Sequence, residues 1–308
     1  MKIVFMGTPD FSVPCLEMLL HSRHEVAAVV TQPDRPAGRG LRLEPPPVKR
    51  VAVEHQIEVL QPEQMSDPEF LARLEEIAPD LGVVVAFGHL LKPELLELPK
   101  RGCINVHASL LPRLRGAAPI AWAILSGESE TGVTAIRMDP GLDTGPILMQ
   151  KSISIAPDQT GGALHDTLAR LGAEALVETL QGLEQGGIRP RSQDHGQATY
   201  APMLKKVDGL LDFCRPAIEL ERRVRALDPW PGAFFNWQGK TIKVWKAGVV
   251  SASGEAGQVL AADKEGITVA CREAALHITD LQPPGKRRMS AAEFLSGHQL
   301  PPGSRLHE

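Results

Sequence analysis

The chain has 308 residues, 43% of them apolar and 23% charged, with a formal net charge of −4. It is too apolar for a disordered chain and longer than the ~250 residues at which single cores stop growing, so two domains are expected. The charge balance excludes the strongly basic character common in nucleic-acid-binding domains, so any RNA contact must come from local patches, and the stretch from Lys206 onward is only mildly basic.

The opening residues, MKIVFMGTPDF, hold an apolar run too short for a signal peptide or a membrane span, which points to a cytoplasmic protein with no membrane partner. KIVFM at 2–6 reads as a buried strand, broken by Gly7, Thr8 and Pro9 and followed by a helical pattern through Leu16, Leu19 and Leu20. Further strands are predicted at 26–30, 81–86 and 103–107, with helical stretches such as FLARLEEI between them. This alternation predicts an α/β fold with a mostly parallel, Rossmann-like sheet. No full GxGxxG follows Gly7, so neither NAD nor another nucleotide cofactor is expected.

Two more strands, at 132–138 and 147–155, precede a long amphipathic helix from about Gly161 to Leu183. The first domain is placed at 1–188. Residues 189–205, polar and rich in Pro and Gly at their start, read as an exposed linker. From 206 to 308, short β runs at 241–245, 257–261, 267–270 and 276–278 predict a small C-terminal β-barrel. Phe234, Trp237 and Trp245 are expected in its core. Lys205, Lys206, Arg222, Arg223 and Arg225 could follow phosphates, although such runs are usually solvated faces. Cys15, Cys103, Cys214 and Cys271 are widely spaced and fit no zinc pattern, so buried reduced thiols and no metal are expected.

Chemistry concentrates in two segments. Asn105 and His107 lie two apart at the end of a strand and so share a face of the sheet, at the carboxyl end where open α/β sheets place their ligand crevice. In MDPGLDTGPI at 138–147, Asp139 and Asp143 sit in a Gly- and Pro-marked loop. Alone, NxH reads as a turn cap beside a satisfied histidine, and each aspartate as an Asx turn. Together an amide, an imidazole and a carboxylate at strand ends suit a reaction passing through an oxyanion.

NVHASLLPRLRGAAPI and GVTAIRMDPGLDTGPIL resemble the folate-dependent formyltransferase superfamily. The resemblance implies a formyltransferase domain using 10-formyltetrahydrofolate, with Asn105, His107 and Asp143 at the catalytic positions. Asn105 and His107 would stabilise the oxyanion and handle protons, and Asp143 would orient and charge His107. Ser109, Leu110, Leu111 and Pro112 match the folate-contacting segment, while Phe87, Gly88, His89 and Leu90 match the loop beside the pterin pocket.

These motifs leave the acceptor open among glycinamide ribonucleotide, amino sugar, aminoacyl-tRNA and water. The segment TQPDRPAGRGLRLEPPPVK at 31–49 resembles the insertion loop of the methionyl-tRNA formyltransferase family. That likeness implies contact with the acceptor end of initiator methionyl-tRNA through Arg35, Arg39 and Arg42, because Arg offers forked contacts to phosphate or guanine. DPWPGAFF at 228–235 and IKVWKA at 242–247 resemble the family's OB-like C-terminal barrel, which assists tRNA binding. A monomer is implied. The chain departs from the pattern at LRL, 41–43, where relatives are more basic, and at Phe213, where many have Trp.

Overall fold

A strand without polar residues requires cover on both faces. In the computed structural model, which describes residues 1–37 and 42–306, KIVFM becomes the centre of such a sheet. The elements follow as β1 (Lys2–Gly7), α1 (Val13–Leu20), β2 (Glu25–Val30), β3 (Arg35–Ala37), β4 (Arg42–Glu44), α2 (Pro47–Glu54), β5 (Glu58–Leu60), α3 (Pro68–Ile77), β6 (Leu81–Val85), α4 (Pro93–Glu97), β7 (Cys103–His107), α5 (Pro119–Leu125), β8 (Glu130–Arg137), β9 (Ile147–Ser154) and α6 (Gly161–Glu184). The chain forms two compact units. One comprises Met1–Pro119, Glu130–Ser154 and His165–Pro202, the other Ile120–Ser129, Ile155–Leu164 and Met203–Glu308.

The first unit is built on a seven-stranded sheet in the order β5-β2-β1-β6-β7-β8-β9. The five strands from β5 to β7 run parallel, and β8 and β9 add antiparallel strands at one edge. Val4 and Met6 join Ala28, Val30, Val84, Phe70 and Leu74 in one buried cluster, so α3 and the loop after β6 cover that face. On the other face Gly172 of α6 lies against Val106, Cys15 and Val133, where an added Cβ would come within 3.2 Å of Val106. Local sequence sets these helices. Asp67 caps α3 by accepting from the backbone N–H of Glu69 at 2.8 Å and of Phe70 at 3.3 Å, with Pro68 in the first turn.

The second unit holds α7 (Ala217–Ala226), β10 (Ala233–Trp237), β11 (Lys240–Val250), β12 (Val259–Ala262), β13 (Ile267–Ala270), β14 (Ala275–Gln282), β15 (Met289–Ser290) and α8 (Ala291–Leu295). Its antiparallel strands run β10-β11-β14-β13-β12, with β15 on β14. Register shifts on either side of Lys246 bend β11 so that the sheet curls into an OB-like half-barrel. Strand parity decides which aromatics enter its core. Ala233, Phe235 and Trp237 point inward together with Ile242 and Val244, while Phe234 and Trp245 take the opposite face, contrary to the expectation that both are core. Trp245 instead donates its indole N–H to Gln282 at 3.0 Å, with Lys243 and Arg288 beside its ring. Phe213, the position that departs from the family pattern, is buried in the core.

Burial pushes the Cys15 and Cys103 thiols up to about 12 and Cys271 up to about 11, so these three are inert core residues. Cys214 is exposed, against expectation, because Phe213 fills the neighbouring core position. Among the described residues, no helix is long and apolar enough to cross a membrane.

At the amino-terminal edge of the parallel sheet, Asp80 accepts from the Lys2 backbone N–H at 2.8 Å and from Lys100 at 2.9 Å. These bonds hold its carboxyl at about 2, below its ordinary value. The resulting stabilisation is complete above the unfolded carboxylate range near ~4. It is lost as pH falls through the folded value of about 2. Urea titrations between neutral and acid pH should therefore show a shallower acid loss of stability in Asp80→Asn than in the parent chain. Parallel curves would contradict this assignment.

Candidate active site

The strand order reverses direction of growth at β1 and β6, and the carboxyl ends of such strands are where open α/β sheets bind their ligands. Side chains tie that edge together. Ser12 donates to the Val85 carbonyl at 2.6 Å, and Thr8 and Gln32 both donate to the Phe87 carbonyl, at 3.2 and 3.1 Å. Phe87 is itself a core residue, buried to 2% exposure, with its ring 5.3 Å from that of His89. Gly88 and Leu90 are exposed. At Gly88 φ is +83°, and a Cβ would lie 2.6 Å from the Gln32 amide, so a bulkier residue would break this corner. The loop thus divides into a buried anchor and an open rim.

Beside it, β7 presents Asn105 and His107. Asn105 is half-buried, and its side-chain amide has no hydrogen-bond partner among the described residues. His107 is 6% exposed and fully engaged. Its Nε2 lies 2.9 Å from the Leu114 carbonyl, an acceptor only, so Nε2 carries the proton. Its Nδ1 faces the Asp143 carboxylate at 3.6 Å. A protonated ring would therefore meet an acceptor at both nitrogens.

The two aspartates have different tasks. Asp139 accepts from the Gly141 N–H at 3.1 Å and from the Thr144 hydroxyl at 2.6 Å, which makes it the turn-former of its loop. Asp143 stands in the left-handed region at φ +53° and accepts from the Gly116 N–H at 2.8 Å. The loop cannot relax around it: a Cβ on Gly145 would lie 1.8 Å from the Arg137 carbonyl.

The SLLP segment is held from beneath. Ser109 is buried and donates to the Arg113 carbonyl at 2.7 Å, while Leu111 is buried and Leu110 and Pro112 are partly open. Buried Thr134 on β8 donates to the Ser109 carbonyl at 2.6 Å and accepts from the Leu111 N–H at 3.1 Å. Gln150 on β9 adds a bond to the Leu111 carbonyl at 2.9 Å and is itself held by Arg191. Thr134, Gln150 and Gly116 escaped the sequence reading because their importance lies in backbone partners far along the chain.

The basic segment at 31–49 forms the β3–β4 hairpin. Arg35 is exposed at its start and Arg42 begins its second strand, whereas Arg39 lies outside the described residues. Lys49 is neutralised by Asp34 at 2.8 Å. Hydrogen bonds from Gln61 and Lys49 hold the Asp34 carboxyl below its ordinary range and fix the hairpin's base. Arg223 and Arg225 in α7 are also occupied, with the Asp208 carbonyl and with Glu221. Lys205 and Lys206 remain exposed.

A folate donor fits these features chemically: an uncommitted amide beside a buried imidazole and carboxylate, walled by a partly open leucine and a glycine corner. Comparison with known proteins agrees with that chemistry. Residues 1–180 match the family described as formyl transferase, and residues 203–299 its C-terminal domain. A protein of Geobacter metallireducens named methionyl-tRNA formyltransferase is 51% identical over 99% of this chain and 98% of its own length. One of the same name from Myxococcus xanthus is 52% identical over 98% and 97%. The N-formyltransferase structure from Helicobacter canadensis, in complex with folinic acid and dTDP-3-aminofucose, superposes with a TM-score of 0.68 at 18% identity, covering 94% of this chain and all of that one. At that identity it supports the fold alone. With both domain models matched and half of all residues shared along the full length of these relatives, the chain belongs to the formyl transferase family.

Proposed function

We propose that this chain transfers the formyl group of 10-formyltetrahydrofolate to the amino group of methionyl initiator tRNA, in the cytoplasm. The observation that carries the reading is identity of about half of all residues, over the whole chain, with proteins named for that activity. The fold alone would serve an amino sugar equally well.

The donor substrate brings the formyl carbon to the carboxyl ends of β6 and β7. Attack by a neutral amine puts negative charge on the formyl oxygen and positive charge on the attacking nitrogen. Asn105 has a free amide N–H at this edge and donates it to that oxygen. His107, protonated, adds positive charge from a ring that cannot turn away, because Leu114 holds Nε2 at 2.9 Å. Asp143, 3.6 Å from Nδ1, balances the imidazolium, and the proton given up by the amine passes to the folate nitrogen, whose bond to the formyl carbon breaks as the oxyanion collapses. Phe87 and Thr134 act at one remove. They keep the pterin-side loop and the SLLP segment in place for the donor.

On the acceptor side, Arg35, Arg39 and Arg42 contact nucleic acid, and the paired strands β3 and β4 stand on a base locked by Asp34, Lys49 and Gln61. With the chain's net charge at −4, binding rests on such local phosphate contacts, and each makes binding fall as salt rises.

Formylation of charged initiator methionyl-tRNA, run beside charged elongator methionyl-tRNA and an amino sugar, tests the reading directly. Product on the initiator tRNA alone is expected; product on the sugar alone would overturn the acceptor. Asn105→Ala should lower kcat by about 100- to 1,000-fold, the usual cost of one oxyanion donor, and His107→Ala by about 100- to 10,000-fold. Normal turnover in either variant would contradict the assigned roles. Arg39→Ala should raise KM for initiator tRNA and narrow its advantage over the elongator, leaving folate KM unchanged. Thr134→Val leaves the Leu111 N–H without its acceptor and should cost about 1–3 kcal/mol of stability, read by urea unfolding, together with a higher folate KM.

A further inference from the structure

Arg115 is a guanidinium only 2% exposed, and no carboxylate pairs with it among the described residues. Its Nε and Nη2 donate to the Gln193 Oε1 at 3.2 and 2.6 Å, and Nη2 also lies 3.1 Å from the His195 Nδ1. Gln193 is itself 6% exposed. With its oxygen turned to the guanidinium, its amide nitrogen must point the other way, and there it donates at 2.8 Å to two carbonyls, those of Asp143 and Gly145. All the donors and acceptors of the side chain are thus engaged, and its amide cannot flip without setting donors against Arg115 and an acceptor against two carbonyls. The segment carrying Gln193 is pinned to the same turn by the Leu114 N–H on the Thr199 hydroxyl at 2.9 Å and by paired backbone bonds between Arg115 and Thr199 and Ala201.

We propose that Gln193 is a positioning residue for formyl transfer: with Arg115 as its fixed counterpart, it clamps the backbone of Asp143 in the left-handed conformation that aims the carboxylate at His107. This inference rests on the role given to Asp143 above. Among the described residues the Asp143 carboxylate accepts one hydrogen bond, from the Gly116 N–H, and the residue stands at φ +53°, so the aim of the carboxylate at His107 is set largely by its backbone. Gln193 holds that backbone on both sides of Thr144, at residues 143 and 145. Arg115 supplies the asymmetry, because only an oxygen can face it.

Gln193→Glu separates the two halves of the clamp. A carboxylate still satisfies Arg115, so the chain should fold, with a lowered thermal midpoint, but it cannot donate to the two carbonyls and turns an acceptor toward them. The expected result is a kcat lower by about 10- to 100-fold, the scale of a misplacement of about 1 Å, with KM for folate and tRNA within about twofold. In an Asp143→Asn background the same change should cause no further loss. Should Gln193→Glu fold poorly, Arg115→Met with Gln193→Met removes the buried charge along with its acceptor, and its kcat should fall on the same scale of about 10- to 100-fold with KM for folate and tRNA within about twofold. Parental kcat in the Gln193 variants, or an equal loss with and without the Asp143 carboxylate, would overturn the proposal. Full activity of Asp143→Asn alone would instead overturn the role of Asp143 and leave the clamp a matter of stability.

Discussion

One short turn holds both the His107 imidazole and the Asp143 carboxylate. At residues 114–116 the Leu114 carbonyl accepts from His107 and the Gly116 N–H donates to Asp143, so imidazole and carboxylate are oriented by backbone groups two residues apart. The turn achieves this with two left-handed residues, Leu114 at φ +59° and Gly116 at φ +110°. For leucine that conformation costs of the order of 1–3 kcal/mol and persists only where the surroundings impose it. They do so here: the Leu114 N–H, the Arg115 N–H and carbonyl, and the Arg115 side chain are all bound by residues 193–201. A Cβ on Gly116 would lie 3.0 Å from the Ala201 carbonyl.

The rest of the first unit serves to bring that turn to the right edge. Parallel strands buried on both faces put every carboxyl end on one side, and the order of β1, β6 and β7 sets the glycine corner, the free Asn105 amide and the fixed His107 next to one another. The two antiparallel strands complete the site from the far side. β8 and β9 contribute Thr134 and Gln150 beneath the SLLP segment, and the loop between them contributes Asp143. An imidazole held against a carboxylate, next to an uncommitted N–H donor, is an arrangement suited to charge that appears only during reaction.

Much of this was legible in the sequence, and for local reasons. Two-residue spacing put Asn105 and His107 on one face, the alternation of strands and helices announced a parallel sheet, and the Gly- and Pro-marked loop around Asp143 announced a rigid turn. What separated Asp143 from Asp139 was not local: Asp139 satisfies neighbours two and five residues away, while Asp143 reaches Gly116. Residues 189–205 read as linker because they lack periodicity, yet Gln193 and Ala201 in that stretch are buried against the 114–116 turn. Composition cannot show that a polar residue is buried when its partners lie some 50 and 78 positions away. In the half-barrel, a strand's period of two decides the inward face, and a one-residue difference in phase moves Phe234 and Trp245 out of the core.

The measurement closest to the centre of this account is the protonation state of the His107 ring, read by nitrogen NMR of the histidine-labelled protein across pH. If the Leu114 carbonyl fixes the ring, the neutral form must carry its proton on Nε2, and protonation at lower pH must add the second proton at Nδ1, facing Asp143. A neutral ring protonated at Nδ1, or one averaging between the two tautomers, would contradict the account, because neither is compatible with a turn that orients imidazole and carboxylate together.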